Sequence, residues 1–271
     1  MEWRKLKNIV LLILLTLNLV LVALLGGPRL SAYYCQTQAD RAAVEFLAQK
    51  GIGISESVLP DHTQFQPQIV QRDLEEEARL AAQLLGEDVT QQAQGGEVYR
   101  YASSKGVLQF HSDGSFWAEL EARDFPLEGG GQNAALEVLN KLGFSGDVVE
   151  QRLRSVTVCQ NWGGGSLFDQ QATVGWSQVG ITEIAAGRRL YGSPVPDTGR
   201  ASIDRATALI NFYNGLNRMG DVCSRVDKIT PGYLSATSLN KVMTLTPVWQ
   251  VTTDTGSYCL NLVDGTLERL S

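Results

Sequence analysis

The chain begins with a long apolar run and continues with mixed polar and apolar patterns. The run Ile9–Leu25 contains no charged residue, and Thr16 and Asn18 are its polar positions. At about 1.5 Å per residue the run spans roughly 25 Å, near the short limit for a bilayer-crossing helix. The pattern predicts a transmembrane helix over residues 8–26, ended by the glycines and proline that follow.

Three stretches beyond this run share a helical pattern. Residues 39–54, 131–146 and 204–220 each begin with polar and Ala-rich sequence, place apolar residues at helical spacing and close on glycine. This spacing predicts amphipathic helices, and the closing glycines are typical of helix C-caps. A fourth helix is predicted at about residues 67–87.

Short β-patterned runs follow each of the repeated helices. They lie at residues 97–120, 152–162, 172–179 and 242–270. The order predicts an α+β fold, in which helices pack on antiparallel sheets in repeated helix–meander units. We place a first α+β unit at 39–125 and a second and third at 126–271.

Charge predicts the orientation of the apolar run. Basic residues cluster before it, whereas Arg29 is the one basic residue close behind it. The positive-inside rule then gives a cytoplasmic tail at 1–7, a juxtamembrane linker at 27–38 and an extracellular domain beyond. The expected location is the cell membrane, with a single pass. The residues expected to anchor the chain at the lipid headgroups are Trp3, Arg4, Lys5 and Lys7.

A cleaved signal peptide is the alternative interpretation of the N-terminus. Its apolar region is normally about 7–15 residues long and precedes a small-x-small cleavage site. Ser31 and Ala32 are small, but no clear Ala-x-Ala motif follows the run. Length and flanking residues favour the uncleaved anchor.

The net charge argues against a nucleic-acid partner. The chain has 23 Lys and Arg against 29 Asp and Glu, a formal charge of −6. Binding to a phosphate backbone needs clustered basic residues that displace counterions. We therefore expect no nucleic acid among the partners.

Two Asp-Thr-Gly triplets are the sharpest enzymatic signal. Aspartic proteases are built on two such triplets, since two carboxylates that share a proton activate water. Asp197 and Asp254, which begin the triplets, lie too close in sequence for separate β-lobes, and Pro194 and Pro196 make the first context a loop. Asp-x-Gly is also ordinary turn chemistry. No catalytic residue is predicted, and the chain is expected not to be an enzyme.

Other candidate sites are weak. His62 and His111 are too few for a zinc site, and the cysteines lack metal-ligand spacing. We expect no metal and no cofactor. The acidic run at 73–79 is interpreted as a solvated helix face. The disulfide state is left open for the four cysteines, which are Cys35, Cys159, Cys223 and Cys259.

The two ends of the chain resemble a known family. The start MEWRKLKNI, followed by a single span with a late Asn at Asn18, is similar to the start of YycI-type regulatory proteins. The C-terminus resembles that family's closing strands, and PepSY-like modules more broadly, in a pattern of Pro-x-Trp-x-Val, an aromatic strand and a final Asp-Gly turn. The matching residues are Pro247, Trp249, Val251, Tyr258, Asp264 and Gly265.

This resemblance implies a non-enzymatic accessory protein in the membrane. Its partners would be a cell-envelope sensor histidine kinase of the WalK (YycG) type and a YycH-like accessory protein, with membrane lipid around the span. The contact is expected between transmembrane helices, where one interhelical hydrogen bond contributes roughly 0.6–2 kcal/mol. The expected partner-binding face consists of Asn18 with Leu11, Leu14, Leu15, Val22 and Leu25.

Several alternatives stay open. Asn18 could be a polar residue that an anchor simply tolerates, since insertion costs are modest. The chain could instead be an anchored PepSY-like binding module that inhibits a peptidase or senses an envelope ligand. An aspartic-type hydrolase is the third, less favoured, alternative. Whether the chain activates or restrains a kinase is not encoded in these patterns.

Overall fold

The protein is described here from a computed structural model, which covers Leu14 and residues 35–60, 65–238 and 242–270. These residues form a mixed α+β fold, as predicted. The α-helices in this part of the chain are α1 (35–49), α2 (Leu74–Leu85), α3 (Gly131–Lys141) and α4 (Arg205–Met219). Two 3₁₀ turns lie at Glu56–Val58 and Ala122–Asp124.

The strands join into one 14-stranded, mostly antiparallel sheet. They are β1 (Gln68–Val70), β2 (Thr90–Ala93), β3 (Tyr99–Ser103), β4 (Gly106–Phe110), β5 (Ser115–Leu120), β6 (Gly146–Arg152), β7 (Ser155–Trp162), β8 (Gly165–Trp176), β9 (Ile181–Arg188), β10 (Val195–Pro196), β11 (Val226–Thr237), β12 (Met243–Thr253), β13 (Ser257–Asn261) and β14 (Leu267–Leu270).

The sheet has two halves that meet at β8 and β11. The first half follows the order β2-β3-β4-β5-β9-β8-β7-β6, and the second contains β11, β12, β13 and β14, with β1 and β10 beside the start of β12. The strands β8 and β11 pair in parallel, with Ser166 opposite Gly232 and Leu167 opposite Tyr233.

Each half carries its own pair of helices. In the first, α2 and α3 bury Leu80, Leu84 and Leu139 against β3–β5 and β7–β9. In the second, α1 and α4 pack on β11–β13 around Leu47 and Phe212. A third buried cluster, which includes Tyr191 and Tyr233, fills the space between the halves.

The packing of α1 differs from the sequence order of the units. We placed residues 39–54 at the start of the first α+β unit, but α1 packs with α4, which is far away in the sequence. Apolar periodicity identified the helix, yet it carries no information about which sheet the helix covers. The boundaries proposed for the units stay predictions.

The predicted fourth helix begins later than expected. Residues 67–87 were predicted as one helix, whereas Gln68–Val70 is the strand β1 and α2 starts at Leu74. Pairing of β1 with β12 and β10 fixes this segment as strand. The side chain of Asp73 then starts α2, since it accepts hydrogen bonds from the N–H groups of Glu75 and Glu76 at 3.0 Å.

The C-terminal run predicted as β at 242–270 forms a three-stranded antiparallel meander. Turns separate β12, β13 and β14, and α4 lies across them. Gly215 permits this close approach, because an added Cβ would lie 2.4 Å from the Cβ of Leu267. Gly220, at φ 73°, ends α4 in the left-handed conformation.

Candidate functional site

The predicted membrane-contact residues fall almost entirely outside the described part of the chain. Leu14 is the exception, and it is a helical residue whose exposed fraction is 54%. Among the residues that the structure describes, no helix is both long and apolar enough to cross a bilayer. The residues outside are Trp3, Arg4, Lys5, Lys7, Leu11, Leu15, Asn18, Val22 and Leu25, and the roles given to them stay predictions.

The helix nearest to the predicted span is attached to the domain by a buried ion pair. Asp40 on α1 accepts hydrogen bonds from Nε (3.1 Å) and Nη2 of Arg205, the first residue of α4. The two side chains are 5% and 15% exposed. Arg205 also donates from Nη1 to the carbonyl of Pro60 at 2.6 Å. These contacts tie α1, α4 and the segment after α1 together.

Apolar contacts on the same face of α1 continue this attachment. Ala43 and Leu47 follow Asp40 at helical spacing and are 4% and 0% exposed. Phe46 contacts Tyr213 of α4 edge to face, with 5.4 Å between ring centroids. Because breaking a buried ion pair is strongly destabilising, α1 is held to the second half of the sheet as a fixed part of it.

A small cavity adjoins the ion pair. Its volume is about 190 Å³, and Arg41 and Glu56 face each other across it at 3.8 Å, both largely exposed. Charges of both signs line it, which fits a junction between helices better than a site for one ion. The full lining is Thr37, Asp40, Arg41, Val44, Glu56, Leu59 and Arg205.

A groove lies on the opposite face of the second half of the sheet, away from α1 and α4. Its volume is about 260 Å³. Val248 and Cys259 are buried in its floor, and Glu268, opposite Cys259 in the β13–β14 ladder, supplies a carboxylate. The remaining lining is Leu234, Ser235, Ala236, Thr246, Asn261 and Thr266. Hydroxyl, amide and carboxylate groups around a small apolar floor suit a small hydrogen-bonding ligand.

The two Asp-Thr-Gly triplets do not come together. The N–H of Asp197 donates to Pro67, next to the start of β12, whereas Asp254 follows the end of β12. At about 3.3 Å per residue, roughly 26 Å of strand separates them. Two carboxylates at this distance cannot share a proton.

Each aspartate instead holds a turn. Asp197 accepts from Nε of Arg200 (2.7 Å) and from the N–H of Gly199 (3.0 Å), and these bonds lower its carboxyl pKa. Asp254 accepts from the N–H and the hydroxyl of Ser224, which lowers its pKa in the same way. Both triplets are turn structures, as the alternative interpretation proposed.

The cysteines are unpaired and no metal-binding cluster occurs in the described residues. Of the two histidines, His62 lies outside these residues, and His111 bonds Gln109 at 3.0 Å.

Cys35 and Cys223 lie toward opposite ends of α1, because Gly53, just after α1, contacts Ser224. Residues 35–50 rise about 22 Å, far beyond the reach of a disulfide.

Sequence reasoning missed several buried charges. The acidic run at 73–79 was interpreted as solvated, yet Glu77 is 1% exposed and bonds Nε and Nη2 of Arg72 at 2.9 and 2.8 Å. Arg189 is 4% exposed, lies 5.5 Å over the ring of Phe110, and reaches Glu76 at only 3.9 Å. Burial lowers the pKa of Arg189. These groups lie at the contact between α2 and the sheet.

Comparison with known proteins gives distant structural likeness. No family model matches the chain, and no curated protein matches it. The chain is similar to an uncharacterized protein from Eubacterium rectale, at 10% identity and a TM-score of 0.42, over 77% of this chain and 87% of that one. It is also similar to the C-terminal domain of Bacillus megaterium YpeB, at 12% identity and a TM-score of 0.38, over 74% and 99%. At these values the likeness carries no conclusion about function.

Proposed function

We propose that this chain is a membrane-anchored, non-enzymatic regulator of a cell-envelope sensor histidine kinase of the WalK (YycG) type. It acts beside a YycH-like accessory protein, with its N-terminus in the cytoplasm and an extracellular α+β domain of helix–meander units, the last of them PepSY-like. The kinase contact lies on the Asn18 face of the transmembrane helix. This proposal develops the resemblance at the two ends of the chain.

The attachment of α1 is the observation that carries the proposal. A regulator that acts through its span needs the span and the folded domain to move as one. The linker was predicted to reach residue 38, but α1 already begins at residue 35. This helix is held by the Asp40–Arg205 pair and by the buried Leu47. A displacement that reaches α1 through the linker is therefore passed on to the second half of the sheet.

Capture of the kinase from membranes tests the proposed interface. We compare the full-length chain with Asn18→Leu, which removes the amide, and with Thr16→Leu, on nearly the opposite face of the helix. Loss of one interhelical hydrogen bond of about 0.6–2 kcal/mol weakens capture roughly 3- to 30-fold. We expect this loss for Asn18→Leu alone. Equal capture by all three chains would refute the role of Asn18.

The groove on the second half of the sheet favours a second candidate, an anchored binding module for an envelope ligand or a peptidase. Its lining offers hydrogen-bonding groups to a ligand. Its position away from the helices leaves it accessible. The same capture experiment separates the two functions. Recovery of a peptidase without any kinase, unaffected by Asn18→Leu, would favour the binding module.

A further inference from the structure

Two neighbouring turns carry exposed aliphatic side chains at one end of the molecule. Leu153, between β6 and β7, is 92% exposed, and Val179, between β8 and β9, is 59% exposed. The turns are adjacent, because the N–H of Trp176 donates to the carbonyl of Arg154 at 3.0 Å. We call the surface formed by Leu153, Val179 and the flanking Arg152 and Arg154 the hairpin tip. Single exposed apolar residues are common, so the position of this tip decides whether it can meet a membrane.

The hairpin tip lies at the far end of β8. The strands β8 and β11 run in the same direction and pair at Ser166 and Gly232. From Ser166 to Trp176, β8 continues for about 33 Å at 3.3 Å per residue. The tip therefore projects about 33 Å beyond the level at which the two halves of the sheet join.

The N-terminal end of α1 points toward the end of the molecule that carries the hairpin tip. Gly53, just after α1, pairs with Arg225 beside the start of β11. The Asp40–Arg205 pair sets the direction of α1, because α4 begins at Arg205 and ends next to the start of β11. The helix α1 thus runs antiparallel to β11. Its rise of about 22 Å brings Cys35 near the level at which β8 and β11 pair.

The chain between the predicted span and the start of α1 is short compared with the projection of the tip. Residues 27–34 separate the predicted span from Cys35. Fully extended, this length of chain covers at most about 29 Å. When the strands stand perpendicular to the membrane, the tip extends about 33 Å beyond Cys35 toward the bilayer. This distance exceeds the reach of the linking chain, so the tip meets the bilayer.

We infer that the hairpin tip docks on the outer surface of the bilayer that anchors the chain, with Leu153 and Val179 inserted at the headgroup–acyl boundary. This inference rests on the proposed membrane anchor. Aliphatic side chains at this depth gain burial, and arginine keeps its guanidinium at the phosphate level while its stem lies deeper. The domain then has two attachments, the span and the tip, which fix its orientation toward a membrane partner.

The contact depends on apolar burial more than on lipid charge. Arg152 bonds Glu150 at 2.8 Å, and Asp124 lies on the adjoining loop, which meets the turn of Val179 through Pro126 and Gly180. Glu150 thus offsets Arg152, and Asp124 offsets Arg123 beside it on the same loop. We therefore expect similar docking on neutral and on anionic lipid.

Photo-cross-linking of the full-length chain in vesicles tests the inference. The benzophenone amino acid p-benzoylphenylalanine replaces Leu153 or, as the matched control, Val222, which is 79% exposed and lies beside the start of β11, at the opposite end. Vesicles are made of phosphatidylcholine alone or mixed with phosphatidylglycerol. Because burying a large apolar side chain favours contact by a factor of roughly ten or more, we expect about tenfold more lipid adduct at position 153 in both vesicles.

The outcomes separate the inference from the proposed function. Equal lipid adducts at both positions, in chains that sediment with the vesicles, would overturn the docking of the tip and leave the anchor intact. In cell membranes, an adduct to protein at position 153 in place of lipid would also overturn it. Chains that stay in solution would overturn the anchor and the docking together.

Discussion

At the scale of single residues, burial controls which thiols can react. Burial raises the pKa of Cys159, Cys223 and Cys259 to about 11. At Cys259 the carboxylate of Glu268 adds to this effect, because a neighbouring negative charge disfavours the thiolate. Cys35, at the start of α1, is exposed. The thiols therefore differ in reactivity although none is bonded to another.

This difference predicts the order and pH dependence of alkylation. The thiolate is the reactive form, and a pKa of about 11 leaves roughly one thiolate in a thousand at pH 8. Iodoacetamide should label Cys35 first, and labelling of Cys259 should rise about tenfold per pH unit until the pH approaches 11. Peptide mass spectrometry measures both. All four cysteines should react alike in urea, and equally fast labelling of Cys35 and Cys259 in the folded chain at pH 8 would contradict this account.

At the scale of elements, the central contact is that of α1 with α4. Asp40 and Arg41 are neighbours on α1, but Asp40 forms a buried pair and Arg41 an exposed one. A buried pair that loses one partner leaves an uncompensated charge, whereas exposed pairs contribute little.

Substitution of these neighbours should therefore have unequal effects. Asp40→Ala should lower the free energy of unfolding by about 3–5 kcal/mol and Arg41→Ala by about 0–1 kcal/mol. The measurement is urea unfolding of the full-length chain in detergent, followed by tryptophan fluorescence. Similar losses for the two variants would mean that α1 is not fixed to α4 by this pair.

Helical periodicity predicted the existence of the helices but not the roles of their charged residues. Asp40 precedes Ala43 and Leu47 by three and seven positions, and Glu77 stands in the same relation to Leu80 and Leu84. Both acids thus occupy the apolar face of their helix and are buried. A charged residue in an apolar stripe was the available signal. The partner of Asp40 could not be identified from the sequence, because Arg205 is distant in the chain.

For the strands too, local sequence pattern did not predict the features that depend on contacts between distant residues. The C-terminal meander was predicted because alternation and turn residues are local features. The strands β9 and β11 and the short strands β1 and β10 were missed. Gln68, for example, becomes a strand residue through pairing with Pro196 and with Leu245, which are distant in the sequence. The groove arises from four strands that meet in space, so no single run of sequence could show it.

At the scale of the whole molecule, the account combines one anchor, one rigidly attached helix and one projecting tip. The anchor and its Asn18 face derive from sequence and resemblance, whereas the attachment of α1 and the direction of the hairpin tip derive from the structure. Together they support the proposal of a domain that is held at two points and has its kinase contact within the bilayer.

Reconstitution of the kinase is the most direct test of regulation. The purified sensor kinase is placed in proteoliposomes alone or with the full-length chain, and its rate of autophosphorylation from ATP is measured. We predict that the chain changes this rate, that Asn18→Leu abolishes most of the change and that Thr16→Leu preserves it. An identical rate with and without the chain would contradict the account.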